Sequence, residues 1–151
     1  MKKEERASSA AKPPVAKRSA RKVLAICIRN DTLRQMPQPR PVVFFQTEAN
    51  NEPVRDWLKA MSKEDRKLVG TDIKTVQFRW PLGMPLVDNL GSGLWEVRTR
   101  LENRIARTLF FVHEGEIVLL HGLIKKTRKT PTQDRDLALK RKNAYIKSSK
   151  K

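Results

Sequence analysis

Between Leu94 and Ile124 the chain runs Leu-Trp-Glu-Val-Arg-Thr-Arg-Leu, Ile-Ala-Arg-Thr-Leu-Phe-Phe-Val and Glu-Ile-Val-Leu-Leu-His-Gly-Leu-Ile. Only Glu102 to Arg104 and His113 to Gly115 separate them. Each run has the length and the β-branched and aromatic content of a strand. Connections this short leave no room for a crossover, so neighbouring strands must pair antiparallel, as a meander. Taking Glu102-Asn103 and Glu114-Gly115 as two-residue hairpin turns fixes the registers: Arg98 stands opposite Arg107, and Arg107 opposite Gly122.

Side-chain alternation then sorts the meander into two faces. One carries Trp95, Val97, Phe110, Val112, Ile117, Leu119 and Leu123 and needs a cover of helices. The other carries Arg98, Arg100, Arg107 and Lys126 among Leu109, Phe111, Leu120 and Ile124. Like charges directly opposite one another destabilise a sheet. Arg98 facing Arg107, with Lys126 at the end of the next strand, therefore reads either as a site built for an anion or as solvated arginines on a half-exposed sheet.

The remaining elements follow from local signals. Pro41 to Gln46 is a strand. Asn51 is placed to cap a helix with Pro53 in its first turn, and Val54, Trp57, Leu58 and Met61 fall on one helical face. Ser62 with Asp65 resembles a capping box for a second helix, marked by Leu68, Val69, Ile73 and Val76, that must end before Trp80-Pro81. Pro81 to Gly93 reads as a Gly/Pro-rich loop. Gly91-Ser92-Gly93 lacks the ending of a phosphate-binding loop. A last helix has Thr130 as its cap, Pro131 at its first position, Gln133 completing a capping box, and Asp134 and Asp136 near its positive end. The expected order is β-α-α-β-β-β-α, an α+β fold with an antiparallel-dominated sheet, two N-terminal helices and a C-terminal helix.

Charge divides the 151 residues into three. Residues 1–41 hold 11 Lys/Arg and 3 acids, 42–120 hold 11 and 11, and 121–151 hold 11 and 2, for a net charge of +17. The expected partner is polyanionic. The first segment, with Pro13, Pro14, Pro37, Pro39 and Pro41, has too little apolar surface to offset its ordering entropy and reads as a flexible basic arm over 1–41. Val23 to Ile28 is too short for a signal-peptide core, and no run approaches the roughly 20 apolar residues of a membrane span. The lone Cys27 excludes an internal disulfide, no spacing points to a metal site, and a reducing cytoplasm fits best.

From Val42 to about Ile146 the ordered set Val-Val-Phe-Phe, Glu-Pro-Val-Arg-Asp-Trp-Leu, Gly-Leu-Trp-Glu-Val-Arg (93 to 98), Arg-Ile-Ala-Arg-Thr-Leu-Phe-Phe (104 to 111) and Leu-Leu-His-Gly-Leu-Ile-Lys-Lys-Thr-Arg-Lys-Thr-Pro (119 to 131) resembles the RelE/HigB family of type II toxins, in particular its phage-derived HigB-like branch. The resemblance makes 42–151 the toxin domain, with a RelE-like fold. It implies an endoribonuclease that cuts mRNA on the ribosome, uses no metal or other cofactor, and is neutralised by a helix-turn-helix antitoxin.

Attack of a ribose 2′-hydroxyl on the adjacent phosphate builds charge that guanidinium and ammonium groups stabilise. By position the resemblance assigns catalytic roles to Arg98, Arg107 and Lys126, some members' use of a late tyrosine adds Tyr145, and Arg100, Arg104, Lys125, Arg128 and Lys129 are the candidate RNA contacts. Glu96 stands where relatives carry a lysine, and is either a base or an ion-pair partner of Arg98. Tyr145 is alternatively a helix-packing residue. His113 reads as a solvated loop residue, and His121 as a core histidine on the face opposite Arg107. The general base stays open, with Lys125 and Lys129 among the candidates. Two other functions fit the same residues: a ParE-like toxin that binds DNA gyrase without cleaving RNA, and a non-catalytic basic RNA-binding module.

Overall fold

The computed structural model describes residues 38–126 and 128–151. The expected arm lies, up to residue 37, outside the described residues. Gln38–Lys151 forms one compact unit. Arg40 is already part of it, since its backbone N–H donates to the Gln77 carbonyl and its Nη1 to the Gly115 carbonyl at 3.2 Å.

The unit is α+β. Strand β1 (Val42–Phe44) leads into helices α1 (Pro53–Ala60) and α2 (Lys63–Arg79). Strands β2 (Val87–Gly91), β3 (Leu94–Arg100), β4 (Ile105–His113) and β5 (Glu116–Lys125) follow, and helix α3 (Thr132–Ser149) closes the chain. The five strands form one sheet in the order β1-β5-β4-β3-β2. Only β1 with β5 is parallel: the two helices carry the chain from β1 to β2 at the far edge, and the antiparallel meander brings it back to β5 beside β1.

Local chemistry explains most boundaries. Pro53 opens α1, whose N-cap is Glu52 rather than Asn51. The Asn51 backbone N–H instead donates to the Thr47 hydroxyl at 3.1 Å. Ser62 caps α2 by accepting from the Asp65 N–H at 3.2 Å, and α2 stops at Arg79, before Trp80-Pro81. Glu114 and Gly115 both have positive φ, 48° and 85°, as a mirror-image two-residue hairpin turn requires. β2 falls inside the stretch expected to be a loop. It pairs antiparallel with β3 through Val87 to Asn89 and, after a register shift, through Gly91 opposite Leu94, with Gly91 at φ 88°.

Helices α1 and α2 cover one sheet face, burying Val54, Val69, Ile73 and Val76 against Val87, Val97, Ala106, Phe110, Ile117 and Leu119. Helix α3 covers part of the other, packing Ala138, Leu139 and Ile146 on Leu94, Leu109, Phe111, Val118, Leu120 and Leu123.

The first hairpin register is the expected one, with Arg98 opposite Arg107. The second holds from the turn only as far as Phe110 opposite Leu119. There Leu120 is an extra residue on β5, so Leu109 faces His121, and Arg107 faces Leu123 instead of Gly122. Such a bulge reverses the facing of every later residue on its strand. Leu123 accordingly joins the α3 side, Ile124 the α1/α2 side, and Gly122 lies against the Trp57 ring. His121 faces α3 and so shares a face with Arg107, contrary to the expected opposite placement.

Candidate functional site

On the α3 side, β3 and β4 bring three charges together. Glu96 is fully buried and Arg107 is 1% exposed. Arg107 Nη1 donates to Glu96 Oε1 at 2.7 Å, and Arg98 Nε lies 3.7 Å from the same oxygen with its side chain 21% exposed. The repulsion expected from Arg98 facing Arg107 is thus answered by a carboxylate between them. Of the two readings of Glu96, the structure shows the ion pair, and with both arginines. Breaking such a buried pair from one side is expensive, because it leaves the partner charge uncompensated.

Thr130 completes this cluster. Its hydroxyl donates to Glu96 Oε2 and accepts from Arg107 Nη1 at 3.3 Å. It therefore does not cap α3, whose N-cap is Pro131 and whose first helical residue is Thr132, one later than expected, with no side-chain cap. Arg107 Nη2 donates to the Arg128 carbonyl at 2.9 Å. The buried arginine thereby ties the β5–α3 connection to the sheet.

The same connection walls a cleft of about 390 Å³, lined by Asp88 and Leu90 of β2, by Arg107, and by Arg128 to Thr132 and Arg135. The start of α3 opens onto it. Backbone N–H groups of a first helical turn with no side-chain cap are donors for an anion, and the positive end of the helix dipole adds to them. With Arg128 and Lys129 exposed at the rim, and Asp88 on the facing wall, the arrangement presents donors and positive charge of the kind that phosphate oxygens accept from.

The other expected site residues fall in four places. Arg98 and Arg100 line a second, smaller hollow of about 110 Å³ with Pro85 and Ile105. Lys125 and Lys126 are exposed where β5 ends. The bulge places Lys125 opposite Ile105, so that it rather than Lys126 continues the row of Arg107 and Leu123. Arg104 turns to the opposite side of the sheet and pairs with Asp65 of α2.

Tyr145 lies toward the far end of α3. Its ring stands edge-on to Phe111 and His113 at 5.8 Å, and its hydroxyl reaches Glu116 Oε2 at 3.4 Å. From Arg107 to His113 along β4 is about 20 Å at the usual strand rise of roughly 3.3 Å per residue. The structure does not bring Tyr145 to the arginines. Burial, then the charge and hydrogen bond of Glu116 and the charge of Glu114, push its phenol above the ordinary tyrosine range. His113 is no solvated loop residue but the last residue of β4, packed in this aromatic group.

His121 has both ring nitrogens engaged. Arg141 Nη1 approaches Nδ1 at 3.3 Å and Asp134 Oδ1 lies 2.7 Å from Nε2. A guanidinium only donates, so Nδ1 accepts and Nε2 carries the proton toward Asp134. Arg141, whose pKa burial draws below the usual guanidinium value, also donates to the Leu120 carbonyl at 2.8 Å. This trio docks α3 and leaves no nitrogen available as a base.

Sequence reasoning missed Asp88, because β2 was hidden among glycines and prolines, and Arg135, because only the acids at the start of α3 drew notice. Thr130 was found for the wrong task. Among the described residues no group of three or more His, Cys, Asp or Glu side chains is placed to hold a metal ion, and no helix is long and apolar enough to cross a membrane.

A mostly antiparallel five-stranded sheet between a helical pair and a C-terminal helix, with arginines gathered on one face, is consistent with a RelE-like, toxin-like module. The family model described as "Phage derived protein Gp49-like (DUF891)" matches residues 56–143, and the chain belongs to that toxin-like family. The matched span contains both walls of the cleft but neither β1 nor Tyr145. No curated protein matches the chain.

Proposed function

We propose that the chain is the toxin of a type II toxin–antitoxin pair, of the HigB-like branch, and acts in the cytoplasm as a metal-independent, ribosome-dependent mRNA endoribonuclease. The observation that carries this reading is the cleft at the start of α3, where Arg128, Lys129, Arg135 and an uncapped helix end face one another across a space large enough for a nucleotide phosphate. In this reading those three side chains hold the non-bridging oxygens around the scissile bond, and Arg98 with Arg100 holds a neighbouring phosphate. Arg107 acts from below by fixing Glu96, Thr130 and the Arg128 carbonyl, and is a positioning residue. Tyr145 has no part in this cleft. The working domain is the unit from Gln38 onward, and removal of residues 1–37 leaves its activity in place. The partner is a helix-turn-helix antitoxin.

The test is induced expression in bacteria of the wild type beside Arg98→Ala and beside the triple replacement Arg128→Ala, Lys129→Ala, Arg135→Ala, with primer extension on several messages. Breaks inside translated frames that vanish in the triple variant are expected. Growth arrest without breaks would replace the nuclease with a gyrase-binding toxin, and absence of arrest would leave a non-toxic RNA-binding module. Arg107→Ala is unsuited to this test because Glu96 would be left charged and buried.

A further inference from the structure

We propose that Asp88 is the general base of this site, accepting the proton of a ribose 2′-hydroxyl in single-stranded RNA held in the cleft; the assignment rests on the ribonuclease reading above. β2 places Asp88 directly opposite Glu96, on the α3 side of the sheet. Directly paired residues have Cα atoms only about 4.5–5.5 Å apart, and like charges so placed destabilise the sheet. Glu96 is balanced by Arg107 and Arg98. Asp88 forms no ion pair with any described residue, although Arg107, Arg128, Lys129 and Arg135 line the same cleft. An acid there opposes both the neighbouring carboxylate and the binding of phosphate. A carboxylate set against another across the sheet and facing a cleft, with no ion-pair partner among the described residues, breaks the local rules in the way functional positions do.

Among the described residues, the other candidate bases near the cleft are engaged or distant. Both Glu96 oxygens are engaged and the side chain is fully buried. His121 and Asp134 hold each other. His113 and Tyr145 sit in the aromatic group at the turn end of β4. An ammonium has no lone pair to accept with, which removes Lys125 and Lys129.

The step balances without a cofactor. The 2′-oxygen forms a bond to phosphorus as its proton passes to an Asp88 carboxylate oxygen. The bond from phosphorus to the 5′-oxygen breaks, that oxygen takes a proton from solvent, and Asp88 returns its own to solvent. The products are a 2′,3′-cyclic phosphate and a 5′-hydroxyl end.

Single-turnover cleavage of mRNA on programmed ribosomes, followed against pH for the wild type, Asp88→Asn and Asp88→Glu, tests the assignment. Asp88→Asn is expected to cut about 10²- to 10⁴-fold more slowly. It should lose the acid limb of the pH profile, bind the programmed ribosome at least as tightly, and unfold at no lower temperature, since the clash with Glu96 is relieved. Asp88→Glu should recover part of the rate and keep the limb. Asp88→Asn cutting at the wild-type rate with the wild-type profile would overturn the assignment, as would weaker binding with an unchanged rate at saturation. A wild type that does not cut would overturn the ribonuclease reading itself and the role of Asp88 with it.

Discussion

The two faces of the sheet are held by different physics. Against α1 and α2 the contact is apolar, with Val54, Val69, Val76, Val97 and Phe110 essentially inaccessible, and Trp80 set edge-on to Trp95 at 4.9 Å and to Phe110 at 5.3 Å. Against α3 the apolar patch is smaller and is fringed by directional bonds. Arg135 donates to the Leu90 carbonyl at 2.7 Å, Lys142 to the Ser92 carbonyl, and Arg141 to the Leu120 carbonyl. That side also buries Glu96 and Arg107. Replacing a buried ion pair with apolar side chains often costs nothing. A fold that keeps one on a single face, under a cleft, is holding a loop in place rather than maximising stability.

Four variants break or sharpen this contrast. The largest effect is expected from Arg107→Ala, which should lower unfolding free energy by about 3–5 kcal/mol in denaturant titration. A loss below about 1 kcal/mol would mean that Glu96 finds another partner. On the apolar face, Gly122→Ala drives a methyl group into the Trp57 ring and should cost about 1–3 kcal/mol by the same titration. A silent result would show that α1 is free to move away.

Replacing both charges, Glu96→Leu with Arg107→Met, should return stability to the wild-type level or above while RNA breaks disappear. Stability as low as that of Arg107→Ala would make the pair structural after all. The smallest effect belongs to Tyr145→Phe. Because the folded protein raises the tyrosine pKa, its contribution is whole below the ordinary value near 10 and is lost as pH rises through the folded value. Thermal melts of the two proteins should therefore run parallel below about pH 10 and converge or cross only above it.

Much of this was legible in the residues. Two-residue turns determine registers, so Arg98 opposite Arg107 followed from Glu102-Asn103 alone. Helix periodicity and proline placed α1 and α2, with Glu52 displacing Asn51 as the cap. Elsewhere the deciding contact came from a distant part of the chain. β2 has few strand-forming residues in Val-Asp-Asn-Leu-Gly and exists because β3 offers it an edge. Thr130 has the ordinary signature of a cap, yet a buried carboxylate competes more strongly for its hydroxyl than a solvated helix end does. The bulge at Leu120 has no local marker, so the alternation read from the turn gives Leu123, Ile124 and His121 the wrong surroundings.

The extra residue at Leu120 also affects how relatives of this chain are to be read. Roles pass between homologues column by column, on the assumption that a shared column means a shared environment. If a relative lacks the insertion, aligning the two from the β4–β5 turn and aligning them from the Arg98–Arg107 pair give answers that differ by one column, and only the second keeps each side chain on its own side of the sheet. Comparative work on the residues after Leu120, the cationic Lys125 to Lys129 among them, should be anchored at the arginines and not at the turn.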